Sequence, residues 1–80
     1  MNQLEKYNRI FMDIFGVSST EIEMLEYQKL PVWDSVGHMR LMDDIEESFG
    51  IMLDTEDIVA FSSYKKGMEI LGKYGIRFDA

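Results

Sequence analysis

Ser35-Val36-Gly37-His38-Met39-Arg40-Leu41-Met42-Asp43-Asp44-Ile45-Glu46-Glu47-Ser48-Phe49-Gly50 reads as one amphipathic helix with its stop attached. Val36, Met39, Met42, Ile45 and Phe49 recur at three- and four-residue spacing, with Leu41 beside them. Asp43, Asp44, Glu46 and Glu47 fall mostly on the other side. Gly50 follows the last periodic residue, where a left-handed C-terminal stop favours glycine. Asp34 precedes the first helical position as an N-cap, whose carboxylate accepts from the free N–H groups of the first turn. That leaves Ser35 inside the first turn with its hydroxyl near solvent.

Outward from this helix the same reading yields three more. Leu4, Tyr7, Ile10, Phe11, Ile14 and Phe15 repeat at spacings of three and four and end at Gly16. Asp54 or Thr55 caps a short third helix through Phe61, with Glu56 and Asp57 in its first turn. Ser62 or Ser63 caps a fourth, which carries Tyr64, Met68, Ile70 and Leu71 towards Tyr74. Between the first two helices runs a long irregular stretch from Val17 to Asp34. Ser18-Ser19-Thr20-Glu21 matches a capping box and marks a short helical turn there. Pro31 ends any such turn and biases Leu30 towards an extended shape. Ile22, Leu25, Leu30, Val32 and Trp33 are the residues expected to pin this loop to the core. No stretch alternates as a strand does. The expected fold is all-α: a small four-helix bundle of three longer helices and one short third helix, with a long first loop.

At 80 residues this is one domain, 1–80, of modest expected stability, since a chain of this size buries only about 60–70% of its unfolded surface. No apolar run approaches the roughly 20 residues that span a bilayer. The first residues, Met1-Asn2-Gln3-Leu4-Glu5-Lys6, lack the basic and then apolar order of a secretory signal. A free-standing, monomeric, cytoplasmic protein without stable membrane insertion is expected. There is no cysteine, which excludes disulfides and thiolate metal sites. Any thioester chemistry must therefore use a thiol brought by an attached group.

The formal charge is −7, and all of it lies in one segment. From Asp34 to Asp57 there are eight acids (Asp34, Asp43, Asp44, Glu46, Glu47, Asp54, Glu56 and Asp57) against Arg40 alone. The other acids and bases cancel. Such a field repels nucleic-acid phosphates and anionic membranes. It attracts proteins with basic patches and speeds their encounter.

Ser35 stands at the head of this segment. A helix N-terminus carries partial positive charge and free N–H groups, so a phosphate attached there is favoured, and a serine is a primary alcohol able to become a phosphodiester. A serine beside an aspartate at a helix start is also commonly only a cap. The wider pattern Leu30-Pro31-Val32-Trp33-Asp34-Ser35-Val36-Gly37-His38-Met39-Arg40-Leu41 resembles the phosphopantetheine attachment motif of the acyl carrier protein family, whose core is Asp-Ser-Leu; here Val36 stands in the third place. The resemblance continues through the acidic run to Glu47, through Phe49-Gly50-Ile51, and into Asp54-Thr55-Glu56-Asp57. It covers most of the chain.

The resemblance implies a carrier and not an enzyme. Ser35 would receive 4′-phosphopantetheine from coenzyme A, covalently, through a separate phosphopantetheinyl transferase. Asp34 would help that transferase recognise the site. Val36, Met39, Asp43, Glu46 and Glu47 fall where family members meet acyl-loading and acyl-processing enzymes with basic docking patches. Leu53 and Phe61 would lie near the path of the acyl chain. Gly37 and Arg40 stand where fatty-acid carriers are often acidic, which points to a dedicated pathway, such as polyketide assembly, over general fatty-acid biosynthesis. D-alanyl or aminoacyl carriers share the Asp-Ser core. A non-catalytic acidic helical adaptor fits the charge pattern.

His38, the single histidine, lies three residues after Ser35. A Ser–His pair invites a hydrolase reading, but no orienting acid or oxyanion hole accompanies it, and His38 is expected to be a partly exposed polar residue. The acids do not form a calcium loop: counted from Asp43, Ile45 takes a ligand position and Gly50 comes late. No metal site is expected. Of the seven methionines, Met39, Met42, Met52 and Met68 serve either as ordinary core filling or as flexible filling that yields to a cargo chain. Trp33 is read as a loop anchor.

Overall fold

The computed structural model describes residues 2–29 and 33–78. Leu30, Pro31 and Val32, expected to help seat the first loop, lie outside the described residues. The chain forms α1 (Gln3–Phe15), a single 3₁₀ turn (Ile22–Met24), α2 (Ser35–Phe49), α3 (Thr55–Ala60) and α4 (Tyr64–Gly72). There is no strand among the described residues; one isolated antiparallel bridge joins Glu26 to Ser63.

The helix ends follow the local chemistry. The Asn2 side chain accepts from Glu5 N at 2.8 Å to start α1. Gly16 and Gly50 close α1 and α2 in the left-handed conformation, with φ of 65° and 66°, a region costly for residues with a Cβ. Ser63, not Ser62, caps α4 by accepting from Lys66 N at 2.9 Å. Asp54 is the N-cap of α3 but makes no side-chain cap bond. The predicted turn at Ser18 forms: Glu21 Oε1 accepts from Ser18 N and Ser18 Oγ at 3.0 and 2.8 Å, and these bonds hold the Glu21 carboxyl below its ordinary range. The loop then reaches the 3₁₀ turn, which buries Ile22 and Leu25 as expected.

α1 packs against α2, and α1 and α4 pack against the 3₁₀ turn. The core between them holds an aromatic cluster: Tyr7, Phe11, Phe15, Trp33, Phe61 and Tyr64 are all buried. Trp33 is fully buried, stacked on Phe15 at 5.1 Å and edge-on to Phe11 at 5.6 Å. It is an anchor, as read. Tyr7 donates to the Tyr64 carbonyl at 2.7 Å, and burial, with Tyr64 nearby, pushes its phenol far above the ordinary range. Gly67 allows α4 to close on this cluster: a Cβ there would overlap the Phe61 ring and the Tyr7 hydroxyl.

Two polar ties close the periphery. Lys6 on α1 donates to the Ser48 carbonyl at 3.0 Å and lies 5.0 Å from the centroid of the Phe49 ring, so a cation meets the negative end of α2. Asp57 on α3 accepts from Lys73 at 2.6 Å and Tyr74 at 2.5 Å, which joins α3 to the end of α4.

Three expectations are corrected. Val36 and Met39 do not share the buried stripe of α2; they are 71% and 52% exposed, while Gly37, His38, Leu41, Met42 and Ile45 face inward. Each three-residue step falls about 60° short of a full helical turn, so the series Val36, Met39, Met42, Ile45 winds from the outer face onto the inner one. His38 is buried, not partly exposed, because the indole of Trp33 and a carbonyl of α3 satisfy its ring. Of the four methionines read as core, only Met42 is fully buried; Met68 is half-buried, and Met39 and Met52 face solvent.

Candidate functional site

The start of α2 is set by Asp34. Its backbone is extended, its Oδ1 accepts from Gly37 N at 2.9 Å, and its carbonyl accepts from His38 N at 2.8 Å. The capping role therefore belongs to Asp34, and Ser35 is the first helical residue, exposed to solvent. The Ser35 hydroxyl makes no hydrogen bond to a described residue. No acid follows Asp34 in the first turn of α2, and the primary alcohol of Ser35 stands exposed there beside the Asp34 cap.

From Ser35 the four-residue steps Met39, Asp43 and Glu47 run down one exposed side of α2, with Val36 and Arg40 alongside. The fold thus brings together Ser35, Val36, Met39, Asp43 and Glu47. Glu46 departs from this group: it is half-buried and its Oε2 accepts from Leu53 N at 2.8 Å, holding the segment between α2 and α3. Asp57 is likewise withdrawn from the acidic field. Its bonds to Lys73 and then Tyr74 hold its carboxyl below the ordinary range. Leu53 and Phe61 are buried in the core.

His38 is not poised as a base for Ser35. Its Nδ1 receives the Trp33 indole N–H at 3.0 Å, and its Nε2 lies 2.7 Å from the Ile58 carbonyl. An indole N–H only donates, so Nδ1 is the acceptor and Nε2 carries the proton. Both nitrogens are committed. Sequence periodicity could not reveal this residue, because a histidine on an inward face carries no apolar signal. The five-residue spacing from Trp33, which spans loop and first helical turn, was the available hint.

A surface depression of about 500 Å³ lies between the first loop and the start of α4, lined by Met24, Leu25, Tyr27, Ser62, Ser63 and Lys65, among others. Ser35 does not line it. Among the described residues no cluster of three or more His, Asp or Glu side chains is placed to hold a metal ion, and no helix is long and apolar enough to cross a membrane. No family model, curated protein or solved structure matches the chain.

Proposed function

We propose that the chain is a carrier of the acyl carrier kind, a small four-helix bundle that holds its cargo on a 4′-phosphopantetheine arm at Ser35. The observation that carries the reading is the division of labour at the head of α2. Asp34 caps the helix, so the adjacent Ser35 is left exposed at the helix N-terminus with its hydroxyl uncommitted. In the loading step the Ser35 oxygen attacks the diphosphate phosphorus next to the pantetheine of coenzyme A. A phosphodiester forms, the bond to adenosine 3′,5′-bisphosphate breaks, and the serine proton passes to a base on the transferase. The arm supplies the thiol that a chain without cysteine lacks. Cargo then rides as a thioester while partner enzymes do the bond-making.

The exposed line Val36, Met39, Asp43 and Glu47 supports partners whose docking patches are basic with an apolar centre. Such a carrier works as a monomer in the cytoplasm, binds no nucleic acid, and serves fatty-acid, polyketide or another specialised biosynthesis; D-alanyl or aminoacyl cargo fits the same head of α2. The exposure of Val36 and Met39 also favours a second reading, an acidic helical adaptor that only binds proteins. Incubation of the full chain with coenzyme A and a broad-specificity phosphopantetheinyl transferase separates the two. The carrier gains the mass of one phosphopantetheine and Ser35→Ala gains none. No gain on the unaltered chain leaves the adaptor.

A further inference from the structure

One turn below Ser35, α2 is fastened to α3. His38 Nε2 donates to the Ile58 carbonyl at 2.7 Å, and His38 Nδ1 accepts from the Trp33 indole at 3.0 Å. Ile58 lies in the last turn of α3, where carbonyls have no partner within the helix. The imidazole therefore caps α3 from α2. A helix of six residues has little stability of its own, so the seat of α3 depends on such ties. The rings of Tyr27, Trp33 and Phe61 surround the imidazole with centroids 5.0, 6.2 and 6.3 Å away. Phe61 is itself fully buried and closely backed by Gly67.

We infer that the Trp33–His38–Ile58 chain of hydrogen bonds shuts the space between α2 and α3 beneath Ser35, so that cargo tethered there stays outside the core and is short or polar, not a long alkyl chain. The inference rests on the carrier reading of Ser35. Parting the two helices to admit an alkyl chain breaks the bond to Ile58. It leaves an imidazole N–H and a carbonyl facing hydrocarbon, which offers neither a partner. Leu53 and Phe61, only 8% and 0% exposed, are packed in the core, so an alkyl chain entering there must displace them. A short or polar cargo needs no such displacement. His38 is thus a specificity-determining residue that acts by position, with no chemistry of its own on the cargo.

The test loads the full chain from acetyl-coenzyme A and, separately, from octanoyl-coenzyme A with a broad-specificity transferase. Intact mass checks loading and thermal unfolding reads the effect. The expected result is equal mass-verified loading and melting temperatures within about 2 °C of each other. A sequestered octanoyl chain instead raises the melting temperature by roughly 20 °C or more, because each of its six added methylenes leaves water. Any rise with chain length beyond the expected 2 °C overturns the inference while leaving the carrier reading intact. Failure to load either derivative removes both. In His38→Val, which lacks both hydrogen bonds, a chain-length dependence is expected to emerge. Its absence there overturns the assignment of the barrier to His38.

Discussion

The indole N–H of Trp33 donates to Nδ1 of His38 across 3.0 Å, and this bond ties the end of the first loop to the helix that begins at Ser35. It fixes which imidazole nitrogen is bare. The expected NMR signature is a neutral His38 ring with the proton on Nε2. A Nδ1–H ring at neutral pH contradicts the bond.

The same pair contributes to stability. His38→Ala leaves the buried Trp33 N–H and the half-buried Ile58 carbonyl without partners, and is expected to destabilise the fold by about 2–4 kcal/mol. Urea denaturation measures this. A loss under about 0.5 kcal/mol shows that the ring is not held as described.

Two glycines of α4 should respond to alanine with opposite signs. Gly67→Ala drives a methyl into Phe61 and Tyr7 and is expected to destabilise by about 1–3 kcal/mol, despite alanine's better helix propensity. A Cβ at Gly72 meets nothing within 4 Å, so Gly72→Ala is expected to stabilise by about 0.5–1 kcal/mol. Denaturation midpoints of the two variants give the comparison.

Asp57 makes stability depend on acid. Its carboxyl is held below its unfolded value of 3.8 by Lys73 and Tyr74, so its contribution is fully present above that pH. The contribution is lost as pH falls through the lower folded value. Lys73 is raised by the same bond, so its share is present below its unfolded value of 10.5 and lost as pH rises through the folded one. Asp57→Asn is expected to flatten both edges of the stability profile measured by urea melts between about pH 2 and 11. An unchanged acid edge would show that the pair is solvated and idle.

On the proposed carrier reading, the acids on α2 steer partner encounter. Asp43 and Glu47 are exposed, whereas Glu46 is engaged with Leu53 N. Asp43→Lys and Glu47→Lys are expected to lower kcat/KM for transferase loading roughly 3- to 10-fold at low salt, with the gap narrowing as salt rises. A salt-independent rate would assign docking to Val36 and Met39 instead.

Much of this architecture is legible in the chain because local chemistry decides it. Gly16 and Gly50 stop α1 and α2 in a conformation that disfavours other residues, and Asp34 carries the cap that frees Ser35. What stayed hidden depends on distant partners. The phase of α2 is set by His38, Leu41 and Ile45 turning inward, and His38 can do so only because Trp33 and Ile58 satisfy its nitrogens. Val36 and Met39 match the apolar period yet lie on the outer side. Glu46 and Asp57 look like members of one acidic field until the fold gives them Leu53 N and Lys73.

Attachment of the arm to the Ser35 Oγ is read directly from one peptide. After incubation with coenzyme A and transferase, tryptic digestion releases residues 30–40, a peptide whose one serine is Ser35. This peptide is expected to carry the phosphopantetheine, fragmenting to eject it, while all other serine peptides remain unmodified. An unmodified 30–40 peptide, or an arm found on Ser18, Ser19, Ser48, Ser62 or Ser63, would contradict it.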